Sequence, residues 1–472
     1  MSPAITLFIQ RDGQKVAFDQ KEITRSIFQA AESVGGNDQE LANQLAQDVV
    51  EHLLQQNQLT PTAENVQQAV EKVLINHSHA KTAKAYILSN YQKEEEQKQK
   101  TLITGGNKAE DHLKFTTEAL KILERRYLLK DENGNVTETP KEMLHRVATN
   151  IAQADTFYQK STEEVQKTED EFYQIMAELR FLPNSPTLMN AQTKSQQLSS
   201  CFVLPIDDTM ASIFGTLRDA ALIHQRGSGT GFSFSRLRPK GETVQKNLGV
   251  AAGPLAFLKV YDAALEVIKQ GGIRPGANMA VLRVDHPDII RFIESKGNRR
   301  ALKNFNISVA VTDNFMRAVQ EDREYNITNP KTAKYVGRLR ARDVFSMIVQ
   351  NAWKTGDPGL LFIDEINRKH PAKHLGEIET TNQCGEAPLL PYEGCVLGSI
   401  NLNQMIDTEK NELNWKLLRQ TVRSAVHFLD NVIDMNSYPK PEIEQQSKHT
   451  RKFGLGIMGW ADLLCKLKLN FD

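Results

Sequence analysis

The sequence predicts an α/β architecture with largely parallel strand pairing, preceded by a small separate module. Two features of the pattern carry this. Beyond about residue 180, short apolar runs alternate with helical periodicity, as strand–helix–strand units require. Before that, a polar low-complexity run, QKEEEQKQK, lies between Gln92 and Asn107 and sets off an amino-terminal block. The length, 472 residues, exceeds what one hydrophobic core usually supports and agrees with about two or three domains.

Residues 5–95 read as the module. Leu7 to Ile9 and Val16 to Phe18 form short strands joined by a hairpin turn at Arg11 to Gly13. Helical patterns follow over 23–33, 38–54 and 63–74, the last entered through Pro61 and Thr62. Residues 96–180 read as a helical region, with helices over 141–158 and 162–179. From 181 to 472, strands are expected at 202–204, 231–234, 281–283, 306–311 and 360–362, and a helix in GLGIMGWADLL, Gly454 to Leu464.

Lys plus Arg equals Asp plus Glu at 58 each, so no net field recruits nucleic acid or a membrane surface. The amino terminus lacks the features of a secretory signal, and no window reaches the roughly 20 apolar residues that cross a bilayer. Four widely spaced cysteines do not make a disulfide framework; a reducing, cytoplasmic setting is expected. No cysteine has a zinc-like partner spacing, and His370 and His374 straddle Pro371 in a polar loop, so no metal site is expected.

The segment Asn382-Gln383-Cys384-Gly385-Glu386 concentrates chemistry. Read as an extended strand, it projects an amide, a thiol and a carboxylate to one side, because side chains alternate with period two. Cys201 and Cys395 each stand at the head of an apolar run, where a cysteine commonly serves as a small hydrophobe, and Cys465 keeps that reading in a helical pattern. Gly227 to Gly231 and Gly271-Gly272 read as turns whose amides can approach phosphate. Gly454 to Gly459 matches GxGxxG but follows a polar segment instead of a strand; close helix packing explains it better than a dinucleotide site.

Taken together, FLPNSPTLMNA (Phe181–Ala191), QLSSCFVLP (Gln197–Pro205), GSGTGFSFSRLRP (Gly227–Pro239), GANMAVLRVDHPDI (Gly276–Ile289), NFNISVAVTD (Asn304–Asp313), NQCGEAPLLPYEGCVLGSINL (Asn382–Leu402) and FGLGIMGWADLL (Phe453–Leu464) resemble the catalytic subunit of ribonucleotide reductase. They most resemble the adenosylcobalamin-dependent class. The resemblance implies a ten-stranded α/β barrel of two antiparallel halves, with a finger loop carrying a radical cysteine through its centre. Residues 181–472 would form its first part.

On that resemblance Cys384 is the radical cysteine, Glu386 the base for the 3′ hydroxyl and Asn382 the group that orients the substrate. Cys201 and Cys395 are the reducing pair, which protonates the departing 2′ hydroxyl and ends as a disulfide, so their α-carbons should lie within about 7 Å. Ser185, Ser200 and Gly229 match substrate-contacting positions. Asp208, Met210 and Arg238 match a specificity site for a deoxynucleoside triphosphate, and Ser295 to Asn304 the loop that reports effector identity to the substrate. Residues 5–95 resemble an ATP-cone, with Arg11 and Lys21 as its cations, although Gln10 replaces a usual lysine.

The implied activity is reduction of ribonucleotides to deoxyribonucleotides for DNA replication and repair, under allosteric nucleotide control. Adenosylcobalamin is the implied cofactor, ATP and deoxynucleoside triphosphates are effectors, and thioredoxin or glutaredoxin is the reductant. In the family more barrel follows the point where this chain stops, at Asn470-Phe471-Asp472, so a second polypeptide is an expected partner and a homodimer a possible assembly. The alternatives are the large subunit of an oxygen-dependent reductase and a catalytically incomplete half-protein.

Overall fold

The computed structural model describes residues 5–9, 15–77, 79–90, 113, 115–243, 249–270, 274–297, 301–407 and 409–471. The hairpin turn with Gln10 and Arg11, the polar run over 92–107, Gly271-Gly272 and residues 298–300 of the expected effector loop lie outside them. The chain divides into two compact units, Met1–Ala109 and Glu110–Asp472.

The first unit holds a hairpin of β1 (Leu7–Ile9) and β2 (Lys15–Ala17), then helices α1 (Gln20–Glu32), α2 (Gln39–Gln55), α3 (Ala63–Asn76) and α4 (80–90). Leu7 pairs with Ala17 and Ile9 with Lys15, antiparallel. Helices α1, α2 and α3 each start where a short polar side chain can take up an unpaired amide: Asp19 accepts from Lys21 N, Asp38 from Glu40 N and Leu41 N, and Thr62 exchanges bonds with Asn65. Ile23 and Ile27, then Leu45, Val49 and Leu53, recur every fourth residue and close a core with Val70, Leu74 and Ala83.

The second unit opens with α5 (Thr117–Arg126), α6 (Pro140–Ala152) and α7 (Thr162–Ala177). There follow β3 (Phe181–Pro183), α8 (Ser185–Asn190), β4 (Cys201–Val203), α9 (Met210–Gln225), β5 (Gly229–Ser233), α10 (Pro254–Glu266) and a small hairpin of β6 (Lys269–Gln270) and β7 (Arg274–Pro275). Next come β8 (Asn278–Arg283), α11 (Ile289–Ile293), β9 (Phe305–Val311), α12 (Asp313–Gln320), the hairpin β10 (Glu324–Thr328) and β11 (Tyr335–Arg340), α13 (Ala341–Thr355), β12 (Gly359–Phe362) and α14 (Ile363–Lys369). The last part contains β13 (Thr380–Thr381), β14 (Pro388–Leu389), β15 (Gly394–Asn401), β16 (Ile406–Asp407), β17 (Glu412–Leu413), α15 (Trp415–Met435), α16 (Pro441–Thr450), β18 (Phe453–Met458) and α17 (Trp460–Leu467).

Among the described residues the main sheet has eight strands in the order β12-β9-β8-β5-β4-β15-β18, with β3 also paired to β15. The strands from β12 to β4 run parallel, β15 runs against β4, and β18 runs with β15. Two strand directions therefore meet at the β4–β15 seam. Helices cover the parallel part, so its strands are buried on both faces and read as continuous apolar runs, which is why β8 and β9 were visible in the sequence. Phe202, Phe232, Phe234, Tyr261 and Phe305 fill the layer beneath, with Tyr261 edge-on to Phe232 at 5.2 Å.

Several expectations are corrected. The helix expected over 141–158 ends at Ala152, and residues 153–158 wind as a tighter turn. The cause is buried Asp155, which accepts bonds from Lys160, Thr168, His427 and Asn431 and binds this turn to α7 and α15. Gly454 and Gly456 lie in β18 and pair with β15, not in a helix; a side chain on Gly454 would come within 2.6 Å of Leu397. Gly229 to Gly231 belong to β5 instead of a turn.

The segment expected to be extended, 382–386, is the tip of the β13–β14 hairpin, where Thr380 faces Leu389 and Thr381 faces Pro388. Asn382 N donates to Ala387 O at 3.1 Å, and Gly385 turns the chain at φ +92°, a conformation that favours glycine. This finger lies directly on β5. A β-carbon on Gly231 would stand 1.8 Å from Thr381 O, and one on Gly229 would strike the Gln383 side chain. No helix of the described residues is long and apolar enough to cross a membrane.

Two outcomes follow. Gly231→Ala should push the finger off β5 and destabilise the second unit by about 3 kcal/mol in denaturant titration, an overpacking effect against backbone that cannot yield. Burial pushes the Asp155 carboxyl up, but its four hydrogen-bonding partners outweigh that and hold it well below the usual carboxylate range. Its contribution is present above the unfolded value, about 3.9, and is lost as pH falls toward the folded one, so wild-type Tm should drop more steeply below about pH 4 than that of Asp155→Asn.

Candidate active site and nucleotide cavities

The β4–β15 seam and the finger tip bring most of the expected site residues together. Cys201 opens β4 and Cys395 is the second residue of β15; in the antiparallel register they face each other directly. Directly opposed residues have α-carbons about 4.5–5.5 Å apart, within the span a disulfide needs. Both thiols are buried. Burial pushes the Cys201 thiol up to about 11, against smaller opposing effects of its bonds to Ser200 and Asn382. Cys395 is also pushed well up, by burial first and then by its neighbour Cys201. At neutral pH both thiols are therefore protonated instead of nucleophilic thiolates.

Asn382, fully buried, is the centre of the arrangement. Its Oδ1 accepts from Ala387 N at 3.0 Å, while Nδ2 donates to Glu386 Oε1 at 2.6 Å and to Cys201 Sγ at 3.2 Å. One amide thus spans a carboxylate and a thiol from different parts of the chain. Cys384 and Glu386 are exposed on the outside of the turn. The tight turn, not period-two alternation, is what separates an accessible thiol from a buried amide two residues away.

Ser200 reaches Cys201 Sγ at 3.0 Å, and its carbonyl accepts from Gly229 N at 3.0 Å. Gly229 itself is buried beneath Gln383. Ser185, at the start of α8, pairs with Tyr127 Oη at 2.9 Å.

A separate cavity of about 300 Å³ gathers Asp208, Met210 and Arg238 with Thr209, Gly253 and Phe257. Arg238 Nε meets Asp208 Oδ2 at 2.6 Å, so a fixed cation and an acceptor already face one another there. In the first unit a cavity of about 180 Å³ is lined by Phe8, Phe18, Asp19, Glu22 and Tyr86, among others. Lys21 is exposed beside it in sequence and is not among the lining residues. Arg11 lies outside the described residues. Cys465 is exposed on α17 and so is not the buried apolar residue its helical pattern suggested.

Sequence reasoning passed over four contributors, Gln383, Asn306, Glu393 and Lys452. Gln383 is buried and donates to the Ser200 carbonyl at 3.4 Å, and Asn306 Nδ2 holds its backbone carbonyl at 2.8 Å. Glu393, fully buried two residues before Cys395, takes Lys452 Nζ at 2.6 Å and Leu390 N at 2.6 Å. Lys452 Nζ also reaches Pro388 O, tying the finger's return strand to the seam. The signal available was a charged residue inside an otherwise apolar stretch, LLPYEGCVLG, which has to be paired if buried.

The chain matches the ribonucleotide reductase all-alpha domain over residues 113–196, the ribonucleotide reductase barrel domain over 199–472 and the ATP cone domain over 7–95. It is 42% identical to a vitamin B12-dependent ribonucleoside-diphosphate reductase of Thermoplasma acidophilum, over 98% of this chain and 67% of that protein. To the protein of that description from Mycobacterium tuberculosis it is 41% identical, over 98% of this chain and 66% of that one. A ribonucleoside-diphosphate reductase large subunit of Vaccinia virus is 32% identical over 75% of this chain and 48% of its own length. The chain spans about two thirds of the length of its vitamin B12-dependent relatives. With a barrel-type sheet, a finger seated on it and these matches covering most of its length, the chain belongs to the ribonucleotide reductase family.

Proposed function

We propose that this chain carries the radical chemistry of an adenosylcobalamin-dependent ribonucleoside-diphosphate reductase. The observation that carries the reading is Asn382 Nδ2, which spans Cys201 Sγ and Glu386 Oε1 beside an exposed Cys384. Similarity to vitamin B12-dependent relatives over nearly the whole chain supports that class over the viral large subunit, which matches less of it and at lower identity.

Adenosylcobalamin, when bound, supplies a carbon-centred radical able to take a hydrogen atom from a thiol. The residues present fit that requirement in one respect: of Cys201, Cys384 and Cys395, only Cys384 is exposed. The Cys384 thiyl radical then takes the hydrogen atom from the ribose 3′ carbon. Glu386 accepts the 3′ hydroxyl proton, and Asn382 holds that carboxylate in place while orienting the substrate. Cys201 gives its proton to the departing 2′ hydroxyl, which leaves as water. Cys201 and Cys395 together give two electrons and two protons and join as a disulfide; one proton leaves in the water, and the other ends with the two electrons as the new C–H bond at the 2′ carbon. Glu386 returns its proton to the 3′ oxygen, and Cys384 returns its hydrogen to the 3′ carbon. Thioredoxin, glutaredoxin or another dithiol re-reduces the pair.

Burial suppresses ionisation of these two thiols, which suits this role, since a proton donor must be protonated at working pH. In the cavity beside α9, Asp208 and Arg238 would meet the ribose and phosphates of a deoxynucleoside triphosphate effector, with Met210 against its base. The cavity of the first unit would take ATP.

Reduction of CDP with added adenosylcobalamin and dithiothreitol, and no separate radical-generating subunit, is the direct assay. Cys384→Ala should lower dCDP formation by about a thousandfold or more while nucleotide binding persists; substantial turnover in that variant would sink the radical assignment. Iodoacetamide near neutral pH should label Cys384 and Cys465 and spare Cys201 and Cys395, whose labelling should climb about tenfold per pH unit, as mass mapping would read.

A further inference from the structure

A continuous chain of hydrogen bonds, buried at one end and half-buried at the other, joins the helices of the Asp208–Arg238 cavity to the strand beneath the finger. It begins at His224, near the end of α9, whose first turn carries Met210 at that cavity. His224 is fully buried, and burial pushes its imidazole down to about 4, so the ring is neutral. Its Nε2 lies 3.0 Å from Thr230 Oγ1, and Thr230 Oγ1 lies 2.7 Å from Asn278 Oδ1. Asn278 Nδ2 donates to Asn304 O at 3.0 Å. Asn304 N and Nδ2 in turn meet Asp262 Oδ1 at 3.0 and 3.2 Å. Asp262 belongs to α10, and the start of α10 lines the same cavity through Gly253 and Phe257.

The direction of every bond is determined. Asn278 Nδ2 is committed to Asn304 O, so Oδ1 faces Thr230 and can only accept. The single Thr230 proton therefore goes to Asn278, and His224 must donate to Thr230 from Nε2. The other ring nitrogen, Nδ1, is left as a buried lone pair without a partner, with Gly276 packed so close that a β-carbon there would stand 1.9 Å away. Thr230 also sits between the two glycines on which the finger rests. Side chains alternate along β5, so Gly229 and Gly231 face Gln383 and Thr381 while the Thr230 hydroxyl faces α9.

We propose that Thr230 is a positioning residue for the proposed reaction: through His224, Asn278, Asn304 and Asp262 it couples the state of the α9–α10 cavity to the seat of the finger that carries Cys384. It is not among the residues lining the Asp208–Arg238 cavity. The inference rests on the proposed reading of the cavity as a deoxynucleoside triphosphate site.

The test is backbone hydrogen–deuterium exchange of residues 380–389, with and without dTTP, alongside calorimetric dTTP affinity. In the wild-type chain dTTP should slow finger exchange by about fivefold, a modest coupling between sites. Thr230→Ser, which keeps the hydroxyl, should preserve that response. Thr230→Val should abolish it while dTTP affinity changes by less than about threefold, well under 1 kcal/mol. Asp262→Ala, at the half-buried end of the chain, should also abolish it and serves if Thr230→Val does not fold. A uniform rise in exchange with the dTTP response intact would mark a merely structural role and overturn the proposal. If the wild-type finger does not respond to bound dTTP, the coupling is wrong and the cavity reading stands. If dTTP does not bind, the cavity reading itself falls and takes the coupling with it.

Discussion

The finger can lie where it does only because β5 presents two glycines, Gly229 and Gly231, at the points where the finger meets it. Gly231 meets the Thr381 carbonyl at a distance that excludes even a methyl group, and Gly229 gives way to the Gln383 side chain. Backbone-to-backbone contact of this kind fixes height as well as direction. The tip is then held to the Cys201 strand by Asn382, and the return strand to the Cys395 strand by Lys452 and Glu393. Remove the glycine face and each of these bonds loses its geometry together.

Around that contact the site divides by solvent access. The Cys201 and Cys395 thiols and the Asn382 amide are buried, where desolvation keeps thiols protonated and makes every polar bond obligatory. Cys384 and Glu386 stand outside, open to solvent. A single hairpin turn produces this division. An extended strand would have placed Asn382, Cys384 and Glu386 in one environment, and the difference in their roles would need another cause.

Much of the architecture was legible because it rests on local patterns. Strands buried on both faces, such as β8 and β9, advertise themselves as apolar runs, and the capped helices at Asp38, Thr62 and Ser161 begin at residues suited to the task. The motif resemblance singled out the residues that the structure gathers at the finger tip and the β4–β15 seam. What stayed hidden depends on contacts between distant segments. Glycines at 229, 231, 454 and 456 looked like phosphate turns or helix packing, because a sequence does not reveal that another backbone passes within van der Waals distance. The winding of 153–158 is set by a carboxylate that draws on α7 and α15, and periodicity within 141–158 carries no trace of those partners.

The β4–β15 seam is short. Only two residue pairs define it, Phe202 with Gly394 and Cys201 with Cys395, so half of its register is made of thiols. It is also where the two strand directions of the sheet are stitched. A bond between those sulfurs would therefore rivet the joint, and its reduction would leave the same joint held by hydrogen bonds and packing alone. In an enzyme that cycles the pair, the sheet would alternate between a welded and a sprung seam once per turnover, and its stiffness would report its redox state.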